Sequence, residues 1–271
     1  MVQEKKAQPI GIFDSGIGGL TVAKAILKEL PNERIVYFGD TAHLPYGDKS
    51  TAAIQAYSVK ICDLLLKQHC KVILIACNSA SAAAYELVKE YVGSKAKVLN
   101  VIDPIVNYIG KTYPGKTIGL IGTKQTVNSN VYRKKVDDLN LGIELKSHAT
   151  PLLAAMIEEG FFNDSISESV IHAYLSDPAL KGIEALILGC THYPLIKKQI
   201  EAYYQGKVDV LDASMIVAEH VKNYLQANKL ASDKLVGDHK FYVSDFTHSF
   251  EESTRIFFKR QVHLEHYPLW E

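Results

Sequence analysis

The chain has 271 residues, 47% of them hydrophobic and 22% charged, enough apolar material for one large α/β domain or two smaller ones and unlike a disordered or low-complexity chain. Lysine plus arginine equals aspartate plus glutamate at 30 each, so no basic field draws the protein to nucleic acid or to an anionic membrane surface. The opening Met-Val-Gln-Glu-Lys-Lys-Ala-Gln-Pro is no apolar signal segment and no apolar run approaches a membrane span, so a cytoplasmic protein without a membrane partner is expected.

Residues 9–13 read as a first strand, running into Asp14-Ser15-Gly16-Ile17-Gly18-Gly19 and a helix over 20–30. A strand, a glycine turn and a helix N-terminus gather backbone N–H groups where an anion can sit. The spacing is neither a dinucleotide fingerprint nor a P-loop, and the glycines would serve equally for tight helix-to-strand packing. Asp14 and Ser15 favour a ligand, because they stand at a strand's C-terminal end, where open α/β sheets bind one. Residues 34–40 form a second strand, followed by a loop in which Pro45-Tyr46-Gly47 is either a plain turn or a ligand-facing segment. Ser50 caps a helix over about 51–69. The strand 72–76 ends at Cys77-Asn78-Ser79, an alanine-rich helix covers about 80–91, and 97–102 is a fourth strand. This alternation predicts a parallel sheet with helices on both faces.

Asp103-Pro104 breaks the pattern and a second series begins. A strand over 116–123 leads into Lys124-Gln125-Thr126-Val127-Asn128 and a helix to about Leu139; a strand over 142–147 precedes a short helix, 152–159, and another, 165–175. The strand 185–189 ends at Cys190-Thr191-His192, and Pro194 opens a helix to about Tyr204. The two series correspond at an offset of about 110 residues, which predicts a pseudo-twofold relation. The tail from Val208 has no counterpart in this scheme: a strand to Asp212, a helix over about 214–228, a strand over 240–244, a helix around Phe246 to Phe258, and the closing aromatics to Trp270. It is expected to pack back on the first half. The fold class is therefore α/β: two pseudo-symmetric α/β domains with mainly parallel sheets and the active site in the cleft between them. The expected domains are 1–103 plus 212–271, and 104–211.

Four cysteines occur, at 62, 70, 77 and 190, without Cys-x-x-Cys or zinc spacing. Cys62 and Cys70 lie in a helical stretch and read as small core residues. Cys77 and Cys190 sit at matched strand ends, each followed by hydrogen-bonding residues where aliphatics would suffice. A buried cysteine at a strand end is ordinarily only a small hydrophobe, but two at corresponding positions point to two thiols facing one small ligand. Each is followed by a helix, whose N-terminal partial charge favours a thiolate and a substrate carboxylate alike. Asp14 is placed to act on Cys77 and His192 on Cys190. Inverting an α-carbon needs a base on one face and an acid on the other, and like residues across a pseudo-dyad supply both in either direction. With no lysine motif for pyridoxal phosphate and no metal-ligand spacing, no cofactor is expected and electrostatic preorganisation must do more.

Asp14-Ser15-Gly16-Ile17-Gly18-Gly19-Leu20, Gly39-Asp40 with Pro45-Tyr46-Gly47, Ala76-Cys77-Asn78-Ser79-Ala80 and Gly189-Cys190-Thr191-His192-Tyr193-Pro194 together resemble bacterial glutamate racemase, of the cofactor-independent aspartate/glutamate racemase superfamily. The resemblance implies interconversion of L- and D-glutamate, supplying D-glutamate for peptidoglycan. It implies that Cys77 is the base toward the D-isomer and Cys190 toward the L-isomer, with Asp14 and His192 assisting. Glu158, beside Glu159, matches a family carboxylate that supports His192. Asp14, Ser15, Pro45, Tyr46, Gly47, Asn78, Ser79, Thr123, Thr126, Thr191 and His192 would line the substrate site. Ser79 stands where the family usually has threonine; it keeps the hydroxyl and loses a methyl. The family also implies a homodimer.

Two rivals stand beside this reading. A sister racemase acting on aspartate would share the two-thiol logic, since one methylene is only modestly discriminated by a pocket. A binding or regulatory protein using the cleft without turnover would be favoured by loss of one cysteine, and both are present.

Overall fold

The computed structural model describes residues 2–162, 164–246, 254–258 and 262–271. A first lobe opens with α1 (Val2–Ala7), β1 (Ile10–Asp14), α2 (Leu20–Glu29), β2 (Ile35–Gly39), α3 (Thr51–Lys67), β3 (Val72–Ile75), α4 (Asn78–Val92) and β4 (Lys97–Asn100). A second follows with α5 (Ile102–Thr112), β5 (Thr117–Gly122), α6 (Lys124–Asn128), α7 (Val131–Asp137), β6 (Glu144–Ala149), α8 (Pro151–Glu158), α9 (Ser165–Leu175), β7 (Ala185–Gly189), α10 (Lys197–Tyr204) and β8 (Asp209–Leu211). The chain then returns through α11 (Ala213–Ala227), β9 (Lys240–Val243) and β10 (Glu265–His266). The helix expected around Phe246 to Phe258 falls largely outside the described residues; 254–258 are helical.

Two sheets result, in strand order β10-β9-β2-β1-β3-β4 and β6-β5-β7-β8, with every pairing parallel. The fold class is α/β with two mainly parallel sheets. The order 2-1-3-4 recurs as 6-5-7-8, so β5 stands where β1 does and β7 where β3 does. Of the tail read from Val208 as lacking a counterpart and packing on the first half, residues 209–211 instead form β8 beside β7, the counterpart of β4 beside β3, within the 104–211 range expected for the second domain. The strand is only three residues long, too short for its side-chain alternation to declare which sheet it joins. The remaining tail does return to the first sheet, where β9 pairs with β2 and β10 with β9.

Local chemistry explains the other departures. The fourth strand stops at Asn100 because the Asn100 side chain accepts hydrogen bonds from the N–H groups of Ile102 and Asp103, both at 2.8 Å, and so starts α5 early. Pro104 then lies in the first turn of a helix, where its missing N–H costs nothing, and does not break the chain's direction. The single helix expected after Thr123 is split into α6 and α7 by Asn130, which takes a left-handed backbone conformation (φ 56°). Ser50 caps α3 as expected, accepting from Ala53 N–H at 3.2 Å.

The largest apolar core runs from α2 and the inner face of the first sheet, through α11, to β7 and α8 of the second. Cys62 and Cys70 are buried under the other face of the first sheet, with Ile61 and Leu65. A buried ion pair, Lys71 Nζ to Glu33 Oε2 at 2.6 Å, ties the lower edge of that sheet to the carbonyls of Lys6 and Leu230. At the opposite edge the wholly buried Asp40 accepts from Tyr46 Oη (2.6 Å), Ser244 Oγ (2.7 Å) and Trp270 Nε1 (2.8 Å), and His43 Nδ1 lies 3.0 Å away. The end of the chain thus reaches the loop after β2 through one carboxylate. Trp270→Phe keeps an aromatic ring beside His43 and Tyr57 but removes the indole N–H. It is expected to cost about 1–3 kcal/mol, the usual cost of taking a hydrogen bond from a buried polar group. Urea denaturation checks this; an unchanged midpoint would show that the tail is held by packing alone.

Candidate active site

In a parallel sheet of order 2-1-3-4 the connections leave β1 and β3 toward opposite faces, and a crevice opens between their C-terminal ends. Asp14 ends β1 and Cys77 follows β3, so the crevice has a carboxylate on one side and a thiol on the other. The second sheet repeats the arrangement, with Thr123 after β5 and Cys190 after β7. The two crevices meet in a tight cavity of about 30 Å³, lined by Ser15, Pro45, Tyr46, Gly47, Cys77, Asn78, Ser79, Thr123, Ala154, Glu158, Gly189, Cys190, Thr191 and His192. The lobes approach closely at its rim: Gly47 lies so close to Thr123 that a Cβ there would stand 2.8 Å from the Thr123 Cβ.

The two thiols are built differently. Cys77 caps α4, its Sγ accepting from Ala80 N–H at 3.4 Å and lying 3.7 Å from Ser15 Oγ. Those contacts favour a thiolate, but burial outweighs them and the nearby Asp14 carboxyl adds to it, so the Cys77 thiol is pushed up to about 12. Cys190 is also followed by a helix but caps no α-helix: the segment opened at Pro194 begins as a short 3-10 turn, Tyr193–Ile196, before α10. Its partner is a side chain instead, His192 Nδ1 at 3.5 Å.

His192 is buried, with Glu158 Oε1 2.8 Å from its Nε2. Burial by itself would lower the imidazole, but Cys190 and Glu158 outweigh it, and the ring is held well above its usual value. Of the two adjacent carboxylates only Glu158 makes this contact; Glu159 ends α8. Asp14 is wholly buried, which raises its carboxyl above the ordinary range, while His192 and the N–H groups of Gly16 and Gly19 pull the other way. Those two N–H groups donate to Asp14 Oδ2 at 3.2 and 2.9 Å. Two of the glycine turn's N–H groups are therefore taken up by the chain's own Asp14 carboxyl. Thr191 Oγ1 lies 3.5 Å from Asp14 Oδ1 and links the two halves.

The hydroxyls of Ser79 and Thr123 meet at 2.8 Å across the cleft, with Thr126 Oγ1 behind them at 3.4 and 3.1 Å. Asn78 is fixed by Tyr132, whose hydroxyl donates to Asn78 Oδ1 at 2.7 Å. Of the residues expected at the site, all but two line the cavity; Asp14 and Thr126 lie one layer behind its wall. Among the described residues no group of three or more His, Cys, Asp or Glu side chains could hold a metal ion. Nor is any helix long and apolar enough to cross a membrane.

The sequence pattern of the Asp/Glu/hydantoin racemase family matches residues 11–221. The chain belongs to that family. A glutamate racemase of Streptococcus pneumoniae serotype 19F (strain G54) is 36% identical over 265 residues, covering 97% of this chain and 99% of its own. Glutamate racemase from Francisella tularensis subsp. tularensis SCHU S4, solved in complex with D-glutamate, is similar with a TM-score of 0.91 at 40% identity, covering 98% of this chain and 99% of that one. The Thermus thermophilus glutamate racemase, solved with β-chloro-D-alanine, gives a TM-score of 0.85 at 36% identity over 97% of both chains.

The protein is an isomerase of the racemase family, and its cavity involves residues that sequence reading did not place at the site. Ala154 lines it, as does Gly189, part of the quoted motif but not expected in the lining, and Tyr37 donates to Gly16 O at 2.7 Å, bracing the glycine turn. Tyr132 reaches Asn78 across 54 positions. None carries a local signal: an alanine in a helix, a glycine at a strand end and tyrosines inside regular elements read as packing.

Glu158→Gln keeps a hydrogen-bonding group at His192 but removes the charge. The His192 ring, titrated by NMR, should have its midpoint well above 6.5 in the wild type and a lower one in the variant. The sign of the stability effect follows: a raised folded-state value gives stability that is complete below about pH 6.5 and lost as pH rises through the folded midpoint. An unmoved midpoint would remove Glu158 as the group that holds the proton. Cys77, held up to about 12, should be alkylated in the resting enzyme at a rate rising about tenfold per pH unit above neutrality. A rate that levels off near pH 8, followed by peptide mass spectrometry, would show an activated thiolate instead.

Proposed function

We propose that this chain is a glutamate racemase that interconverts L- and D-glutamate by moving the α-proton between two thiols, and that it supplies D-glutamate for peptidoglycan. The observation that carries the reading is the pair Cys77 and Cys190, brought by β3 and β7 to one small cavity from opposite lobes. Relatives called glutamate racemase at 36–40% identity over nearly the whole chain support the choice of substrate.

In this mechanism the thiolate of one cysteine takes the α-proton from one face of the substrate, and the thiol of the other returns a proton to the opposite face. Burial that holds Cys77 up to about 12 also makes its thiolate a stronger base once formed. Asp14, buried beside Cys77, and His192, 3.5 Å from Cys190, serve as the groups that pass a proton to or from each sulfur between turnovers. Glu158 holds His192 protonated. The hydroxyls and amide of Ser15, Ser79, Thr123, Thr191 and Asn78 bind the substrate's polar groups, with Tyr46, Pro45 and Gly47 closing the wall and Thr126 supporting it from behind. No cofactor takes part. The domains on this reading are 1–103 plus 212–271, and 104–211, with a homodimer as the working assembly; sedimentation of the purified protein tests the latter.

The purified chain, without added cofactor, should exchange the α-proton of glutamate for deuterium and erase the optical rotation of either isomer in heavy water. Following both isomers of glutamate and of aspartate by circular dichroism separates the substrates; absence of exchange with all four would end the racemase reading. Cys77→Ala and Cys190→Ala should each lower racemisation by at least about 10²–10⁴-fold, the usual worth of a positioned acid or base. Full activity in either variant would eliminate the two-thiol mechanism.

A further inference from the structure

We infer that Gly18 and Phe257 are positioning residues that clamp the His192 imidazole between the first lobe and the returning tail. The inference rests on the role proposed above for His192 and extends it to what aims the ring.

His192 extends from the loop after β7, and within that loop Cys190 Sγ and Thr191 Oγ1 each lie 3.5 Å from its Nδ1. Glu158 holds Nε2 at 2.8 Å, so both ring nitrogens have a partner, but the ring is still free to swing about the line between those contacts. Two further surfaces stop the swing. A Cβ on Gly18 would stand 2.5 Å from His192 Cε1, 2.7 Å from Nδ1 and 2.7 Å from Thr191 Oγ1, distances that no side chain tolerates. The ring therefore lies directly on the bare backbone of the turn between β1 and α2. On another side Phe257, itself buried, meets the imidazole edge to face, with centroids 5.4 Å apart and planes at 87°. Thr21 Oγ1 donates to Thr191 O at 3.0 Å, so the same turn also grips the backbone next to the histidine.

The three contacts come from residues 18, 158 and 257, which belong to the first lobe, the second lobe and the tail. His192 is thus aimed at Cys190 only while the two lobes and the tail are docked together. This gives the middle glycine of the Gly16-Ile17-Gly18-Gly19 turn a reason that anion binding does not, since the turn's N–H groups at Gly16 and Gly19 already serve Asp14. The titratable groups that face the ring are Cys190, Glu158 and Asp14, so moving the ring changes its distance from all three.

Gly18→Ala tests the clamp, with the histidines carbon-13 labelled and the His192 resonance assigned by difference from His192→Gln. Displacement of the ring should shift that resonance and its titration midpoint. It should also lower kcat for glutamate by about 10–100-fold, the cost of misplacing a catalytic group by roughly an ångström, with KM within about threefold. Phe257→Leu keeps the volume and loses the aromatic edge, and should shift the resonance in a protein whose fold is intact by circular dichroism. It carries the test by itself should Gly18→Ala not fold. A wild-type His192 resonance and midpoint in the folded variants would overturn the clamp, whatever the kinetics. Failure of the wild type to exchange the α-proton of glutamate would instead overturn the racemase reading, leaving the resonance to decide the clamp.

Discussion

Parallel strands in the order 2-1-3-4 cannot close the space beyond the C-terminal ends of β1 and β3, because the chain leaves those two strands toward opposite faces of the sheet. Everything functional in this protein follows from having that constraint twice. Each sheet leaves one open crevice, each crevice is flanked by a residue ending the first strand and a cysteine following the third, and the lobes pack with crevice against crevice. The cavity is the space that neither sheet fills. A single sheet of this kind would offer its thiol to one face of a ligand only; the repeat brings a second thiol to the cavity from the other lobe.

The repeat is one of strand order and not of chemistry. Cys77 is capped into a helix N-terminus with an aspartate near it, whereas Cys190 precedes a 3-10 turn and has an imidazole at hydrogen-bonding distance. The first environment is dominated by burial, which keeps the sulfur protonated at rest. The second is organised around an ion pair between Glu158 and a histidine held above its usual value. Unlike tuning is what two sulfurs that exchange the roles of base and acid with two mirror-image ligands would need.

Around this centre the remaining polar contacts are of two kinds. Some brace one lobe internally, such as Asp40, which gathers Tyr46, Ser244 and Trp270 and so connects the chain's last residues to the cavity wall. Others cross between lobes: Ser79 with Thr123, Thr191 with Asp14, Thr21 with the Thr191 carbonyl, and Tyr132 with Asn78. The crossing contacts lie close to the thiols, so the geometry of the site depends on the lobes being docked. Glycines at 18 and 47 sit at such close approaches, where a side chain would hold the lobes apart.

Much of this was legible in the sequence because it is local. Aliphatic runs bounded by turn formers marked the strands, and the residues following each strand are by geometry those at the sheet's C-terminal edge, so Asp14, Cys77, Thr123 and Cys190 could be placed at a ligand-facing edge from spacing alone. Ser50 as a cap was likewise readable. Other features were not local. The three-residue β8 joined the second sheet because of where β7 lies, the start of α5 was set by a side chain at Asn100, and two N–H groups of the glycine turn were taken up by Asp14. The sequence by itself determined which residues stand at the strand ends and that two thiols occur at matched ones. Only the tertiary structure decided what surrounds His192, because its neighbours come from segments as far apart as Gly18, Glu158 and Phe257, and no periodicity along the chain records a contact between them.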